Sequence, residues 1–147
     1  MYRHLLIPSD GSPVAEKAVE AGIELARNLG ARVTAFTAVP EYRAPSESEL
    51  MSHHAVSLSD YEEQARRNAE RVLEPITRRA RAAGLECDAD YALCDRPYEA
   101  IVRAAQDHGC DLIFMSSHGR RGISALLHGS QAQGVLTSSK IPTLIYR

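Results

Sequence analysis

Five short apolar runs, separated by stretches of helical periodicity, constrain this chain more than any other feature. Leu5-Leu6-Ile7 is the first run, closed by Pro8-Ser9-Asp10-Gly11, which reads as a buried strand ending in a turn. Val33 to Val39 is the second, rich in β-branched residues and alanine and stopped by Pro40. In the third, Cys87, Ala89, Tyr91 and Leu93 alternate with Glu86, Asp88 and Asp90, so one face is wet, as at a sheet edge. Leu112 to Met115 has no polar alternation and reads as a central strand. Ile141 to Tyr146 is the last, and Pro142 argues for a strand beginning or an edge.

The segments between are helical. Ser12 stands as an N-cap with Pro13 at the first helical position. Val14, Ala18, Ala21, Leu25 and Leu29 then recur at helical spacing up to Gly30. Tyr61, Ala65, Ala69, Val72, Ile76, Ala80 and Ala83 mark a longer helix ended by Gly84, with Pro75 predicted to kink it or cost a hydrogen bond. Asp95 is placed to cap a third helix with Pro97 in its first turn, Tyr98, Ile101, Val102 and Ala105 as its buried stripe and Gly109 as its end. A short helix is predicted after Gly129, through about Ser139. Residues 40 to 55 lack a period and read as a long loop, a length that in compact domains often marks a lid or disorder.

Strand–helix alternation of this kind implies an α/β protein: one doubly wound, five-stranded parallel sheet with helices on both faces and right-handed crossovers. Ligands in such sheets bind beyond the carboxyl ends of the strands, where strand order reverses. The segments to inspect are therefore Pro8 to Ser12, Ala38 to Tyr42 and Ser116 to Ser130. A length of 147 residues suits one domain, here 1–147, and no internal repeat is visible.

Composition excludes several classes. Apolar residues at 44% and charged residues at 24% are ordinary for a globular chain. A formal net charge of -2 gives no reason to expect nucleic acid. The apolar run of the N-terminus is too short for a signal segment, and nothing later approaches a membrane span, so a cytoplasmic protein is expected. Cys87, Cys94 and Cys110 form no CxxC pair and read as reduced, mostly buried thiols.

The stretch MSSHGRRGISALLHGSQ, residues 115 to 131, carries the chemistry. Glycine lets backbone N–H groups approach a phosphate, and a following helix N-terminus adds dipole and free donors. Gly119, Gly129 and Ser130 fit that scheme, though a plain connecting loop has the same composition. Gly129 to Gly134 is a GxxxxG, but Val135 stands where a P-loop needs lysine. Gly119-Arg120-Arg121-Gly122 alone is weak as an RNA clamp, and no GxGxxG follows the first strand. Arg120 and Arg121 could neutralise phosphates, or be solvated. His118 belongs to no metal pattern, and His53-His54 lack further ligands.

The strings LLIPSDGSP, FTAVPEY and DLIFMSSHGRRGISALLHGS followed by SKIPTLIYR together resemble the universal stress protein family over nearly the whole chain. The resemblance implies a sheet of order 3-2-1-4-5, related to the adenine nucleotide α-hydrolase folds, and a homodimer formed through the last strand, 141–147. ATP-binding members carry G-x2-G-x9-G-[ST], which falls here on Ser116, Gly119, Gly129 and Ser130, with serine in place of the first glycine. The resemblance further implies that Pro8 lines an adenine pocket, Asp10 meets the ribose, the Ala38 backbone pairs with the adenine edge beside Val39, and Met115 lies under the ring. Arg120, Ser130 and Gln131 complete the nucleotide-binding set. From the residues alone, Asp10 is a turn residue beside Gly11 and Met115 a core residue.

The function expected is a small stress-response regulator that binds ATP, or AMP or ADP, with Mg2+ arriving with the nucleotide and no metal site of its own. The alternatives are a nucleotide-free dimer acting through protein contacts, which Ser116 favours, and a slow ATPase or related nucleotide-fold enzyme. No HxGH or SGGxDS string occurs, and beyond Asp10 and His118 no general base stands near the glycine segment, so no catalytic residue is assigned. Neither a nucleic acid nor a membrane is expected as a partner.

Overall fold

A computed structural model of the chain describes residues 1–117 and 130–147. In chain order its elements are β1 (His4–Pro8), α1 (Pro13–Leu29), β2 (Arg32–Val39), α2 (Glu47–Met51), α3 (Leu58–Ala82), β3 (Cys87–Leu93), α4 (Pro97–Asp107), β4 (Leu112–Ser116), α5 (Ser130–Ser138) and β5 (Thr143–Tyr146). All strand pairings among the described residues are parallel, and the order is β3-β2-β1-β4-β5. This is the predicted doubly wound sheet.

Strand alternation divides the core into two layers. Leu5 and Ile7 of β1, Val33 and Ala35 of β2, and Leu112 and Phe114 of β4 face α1 and α3. Leu6, Phe36, Ile113 and Met115 face α4 and α5. Every residue of β1 is buried, so its short apolar run is a central strand covered on both faces. β3 and β5 are the edges, as the alternation in one and Pro142 in the other predicted.

Helix α1 starts as read from the sequence: the Ser12 side chain accepts from the Ala15 N–H, Pro13 opens the helix, and Gly30 closes it at φ 66°. Its buried stripe is shifted, however. Ala15, Ala18, Val19, Gly22, Ile23 and Ala26 are buried, whereas Val14 and Leu29 are exposed. Gly22 explains the shift, since a Cβ there would stand 2.9 Å from Ile7 Cδ1 and 3.0 Å from Phe114 Cδ1. The helix lies on the sheet through its smallest residues.

Two other expectations are corrected, the loop over 40 to 55 and the Asp95 cap. The loop predicted over 40 to 55 contains α2, opened by a capping box in which Ser46 and Glu49 exchange hydrogen bonds. It buries no residue, so it left no apolar period to read. Helix α3 is present as read from the sequence, begins at Leu58 with Ser57 as its cap, and contains Pro75 within its range. Asp95 does not cap α4. Arg96 holds the N-cap position without a side-chain bond, and Asp95 Oδ1 instead accepts from the Glu41 N–H at 3.0 Å. That bond ties the exit of β2 to the exit of β3.

Candidate functional site

Strand order reverses at β1, which sends its chain to β2 on one side while β4 lies on the other. Pairing between β1 and β2 ends at Pro8–Phe36, yet β2 continues to Val39. Pairing between β1 and β4 ends at Leu6–Ile113, yet β4 continues to Ser116. The carboxyl ends of β2 and β4 thus rise past β1 and bound a notch above it, where this fold class holds ligands.

Alternation fixes which groups face that notch. The Phe36 C=O accepts from the Ser9 N–H at 2.9 Å, and the Val39 C=O accepts from the Cys94 N–H at 2.8 Å. Even-numbered β2 residues therefore turn their main chain toward β1 and odd-numbered ones toward β3. The N–H and C=O of Ala38 point to the β1 side, beyond the last β1 pair. In β4, the Ile113 N–H donates to Pro142 and the Ser117 N–H to Tyr146, both at 2.9 Å, so the main chain of Ser116 also turns toward β1. Side chains follow the same rule. Pro8, Ala38 and Met115 share the α4–α5 face, whereas Val39 and Ser116 lie on the α1–α3 face.

The turn after β1 is a chain of local bonds. The Ser9 Oγ accepts from the Gly11 N–H at 3.1 Å, and Asp10 Oδ1 accepts from the Ser12 N–H at 2.9 Å. Gly11 supplies φ 78° and packs beside Val72 of α3. Asp10 thus makes the Asx bond read from the sequence, and the same bond fixes its carboxylate at the carboxyl end of β1.

Ser130 is the first residue of α5 and is exposed. The Gln131 side chain reaches α4: its Oε1 accepts from the Tyr98 N–H at 2.8 Å, serving the first turn of α4 that Arg96 leaves uncapped. Gly119, Arg120, Gly129 and also His118 and Arg121 lie outside the described residues.

Two residues of this region carried no sequence signal for their part. Tyr61 donates its hydroxyl to the Pro40 C=O, just past Val39, and its ring packs on Tyr42 at 5.4 Å. Tyr42 in turn donates to the Val56 C=O at 2.7 Å. These tyrosines pin the base of the α2 segment beside the notch, yet Tyr61 reads in sequence only as one member of a helical stripe.

Among the described residues no group of three or more His, Cys, Asp or Glu could hold a metal ion, and no helix is long and apolar enough to cross a membrane. Cys87 and Cys110 are buried thiols. Burial raises both above the ordinary range, Cys110 to about 11, which is contrary to nucleophilic use. Cys94 is only half-buried.

The model of a family described as the universal stress protein family matches residues 1–147. A universal stress protein of Thermus aquaticus is 29% identical over 150 residues, covering 100% of both chains. Universal stress protein MJ0577 of Methanocaldococcus jannaschii is 26% identical over 157 residues, covering 100% of this chain and 96% of its own. The solved structure of MJ0577 superimposes with a TM-score of 0.79 at 25% identity, over 99% of this chain and 95% of that one. A universal stress protein solved in complex with cAMP has a TM-score of 0.72 at 21% identity, over 99% of this chain and 97% of that one.

Proposed function

Because the chain belongs to the universal stress protein family, we propose that it is a stress-response regulatory module that binds ATP, or another adenine nucleotide, in the notch at the carboxyl ends of β1, β2 and β4. The observation that carries this reading is the Ala38 main chain, whose N–H and C=O turn toward the notch where β1 has ended. One donor and one acceptor at that spacing match the edge of an adenine ring. Pro8 and Met115 supply apolar surface on the same sheet face, and Asp10 supplies a carboxylate suited to ribose hydroxyls. The cAMP complex of a protein with this fold, and a dAMP complex of a universal stress protein from Archaeoglobus fulgidus, support an adenine ligand.

Ser116 is compatible with that role. It ends a strand, and among the described residues His53 is the one non-glycine with positive φ, so Ser116 sits where glycine's conformational freedom is not needed. Its Cβ lies on the α1–α3 face, across the sheet from Pro8, Ala38 and Met115. Gly119, Arg120, Gly129 and Ser130 would then take the phosphates and accompanying Mg2+.

The same reading makes the protein a cytoplasmic homodimer joined along the C-terminal strand. Leu136 of α5 and Leu144 and Tyr146 of β5 are exposed apolar side chains at that edge, as an interface would leave them in a single chain. The reading includes at most slow hydrolysis, and no catalytic residue is assigned. Isothermal titration of ATP with Mg2+ into nucleotide-stripped protein tests the proposal. Micromolar binding that Gly129→Glu abolishes is the expected result. No heat and no thermal shift at millimolar ATP would leave the nucleotide-free dimer in its place.

A further inference from the structure

On the α4–α5 face the helical layer stops short of the sheet's edge. Helix α4 packs mainly over β2 and β1, and α5 packs on α4 and β5, so β3 is covered chiefly from its other face, by α3. Asp90, Ala92 and Cys94 line a groove walled by α4, and Asp88 lies on the same face of β3. The groove holds about 270 Å3, with Phe36, Ala92 and Ala100 among its apolar residues and Glu41, Asp90, Glu99 and Asp107 among its polar ones.

The strand edge beside this groove is open. The Glu86 C=O and the Cys94 N–H bond to β2, so the odd-numbered residues of β3 turn their main chain outward. Two of those outward groups have side-chain partners: Arg81 donates to the Cys87 C=O at 3.0 Å, and Asp90 Oδ1 takes the Tyr91 N–H at 2.8 Å. The main-chain groups of Ala89 and Leu93 remain at the edge, between and beyond those two.

Charge decides what can pair there. Of the groove carboxylates, Asp90 has His108 at 2.8 Å and Glu99 has Arg96 at 3.1 Å, and Arg103 also lines the groove. Asp88 is paired with Arg32 at 2.8 Å. Glu41 and Asp107 have no side-chain partner among the described residues, so the surface carries an excess of negative charge. A second copy of this chain, paired edge to edge, would bring Asp88 and Asp90 against their own kind. We propose that the β3 edge and its acidic groove dock an extended basic segment of a partner protein, added as a sixth strand whose alternate lysines or arginines lie over the groove. Main-chain bonds to Ala89 and Leu93 would supply the pairing, and the alternating basic residues the selectivity. The inference is independent of whether the notch binds nucleotide.

The probe is a labelled hexapeptide alternating arginine and valine, titrated by fluorescence polarisation into the full chain, with amide hydrogen exchange read in parallel. Expected is binding that weakens as salt is raised, that slows exchange at Ala89 and Leu93, and that falls at least tenfold in the Glu41→Lys/Asp107→Lys double variant. Both substitutions are on the surface, and thermal melting checks that the variant is folded. Binding unchanged by the double variant, protection at β5 in place of β3, self-association through β3, or no binding at millimolar peptide would each overturn the proposal.

Discussion

Replacing Gly134 by alanine should destabilise this protein, although the same change inside an ordinary helix stabilises it. Gly134 lies within α5, and alanine is favoured over glycine there by about 1 kcal/mol. Here an added Cβ would stand 2.8 Å from both Tyr98 Cδ1 and Cδ2, inside the van der Waals separation of two carbons. Relief requires moving the Tyr98 ring or the whole of α5, and overpacking of this kind costs about 1–3 kcal/mol. The balance is a net loss of about 1 kcal/mol, or about 4 °C in Tm for a chain of this size. The assay is thermal and urea unfolding of the four members of a double-mutant cycle with Tyr98→Ala. In the Tyr98→Ala background the clash is gone and Gly134→Ala should stabilise by about 1 kcal/mol, so the coupling is about 2 kcal/mol. Equal stabilisation in both backgrounds would refute the reasoning. The contact also bears on function. Tyr98 holds α5 twice, through its ring on Gly134 and through its N–H on Gln131. A displaced α5 moves Ser130, so Gly134→Ala should weaken ATP binding while Gly134→Ala/Tyr98→Ala recovers part of it.

Asp10→Asn keeps the oxygen that accepts from the Ser12 N–H but loses the charge; unfolding should change little while titration shows ATP affinity about tenfold lower, a charged acceptor being worth roughly 1.4 kcal/mol more than a neutral one. Gln131→Ala should lower stability by about 1 kcal/mol through loss of the bond to Tyr98, measured by urea unfolding. Acid should loosen the amino end of the sheet, where His4 Nε2 meets Thr34 Oγ1 at 2.7 Å. Burial, and then Arg32, lower the His4 pKa below 6.5, so the unfolded chain binds the extra proton first. That contribution is complete above pH 6.5 and is lost as pH falls through the lowered value, and His4→Gln should flatten this limb of a stability-against-pH curve. Asp111 adds a second limb below its ordinary 3.8: burial opposes its ionised form, but the N–H groups of His4 and Arg3 outweigh that and lower its pKa.

What could be read in the sequence, and what could not, follows from how each feature is enforced. The strands were legible because burial on two faces leaves no room for polar residues in Leu5-Leu6-Ile7 or Leu112 to Met115. The α1 cap was legible because Ser12-Pro13 is a local device whose partners lie within one turn. Features set by distant contacts were not. The stripe of α1 was misplaced by one position because Gly22 counts as nothing in an apolar pattern, yet it marks the close approach to Ile7 and Phe114. Asp95 had the chemistry of a cap, and a tertiary partner, the Glu41 N–H, took it instead. Helix α2 had its signal in Ser46 and Glu49 but no buried face to make that signal count. The notch shows the same division. Pro8, Ala38 and Met115 come from three strands, and nothing in their spacing says that they share a face; the resemblance named them, and only parity across the sheet supplies a reason. Ala38 is the extreme case, because its side chain is the least informative in the set and the part proposed for it falls to a main-chain N–H and C=O that any residue would carry. What makes that position special is that β1 ends before it does, a property of the register between two strands and not of any one residue.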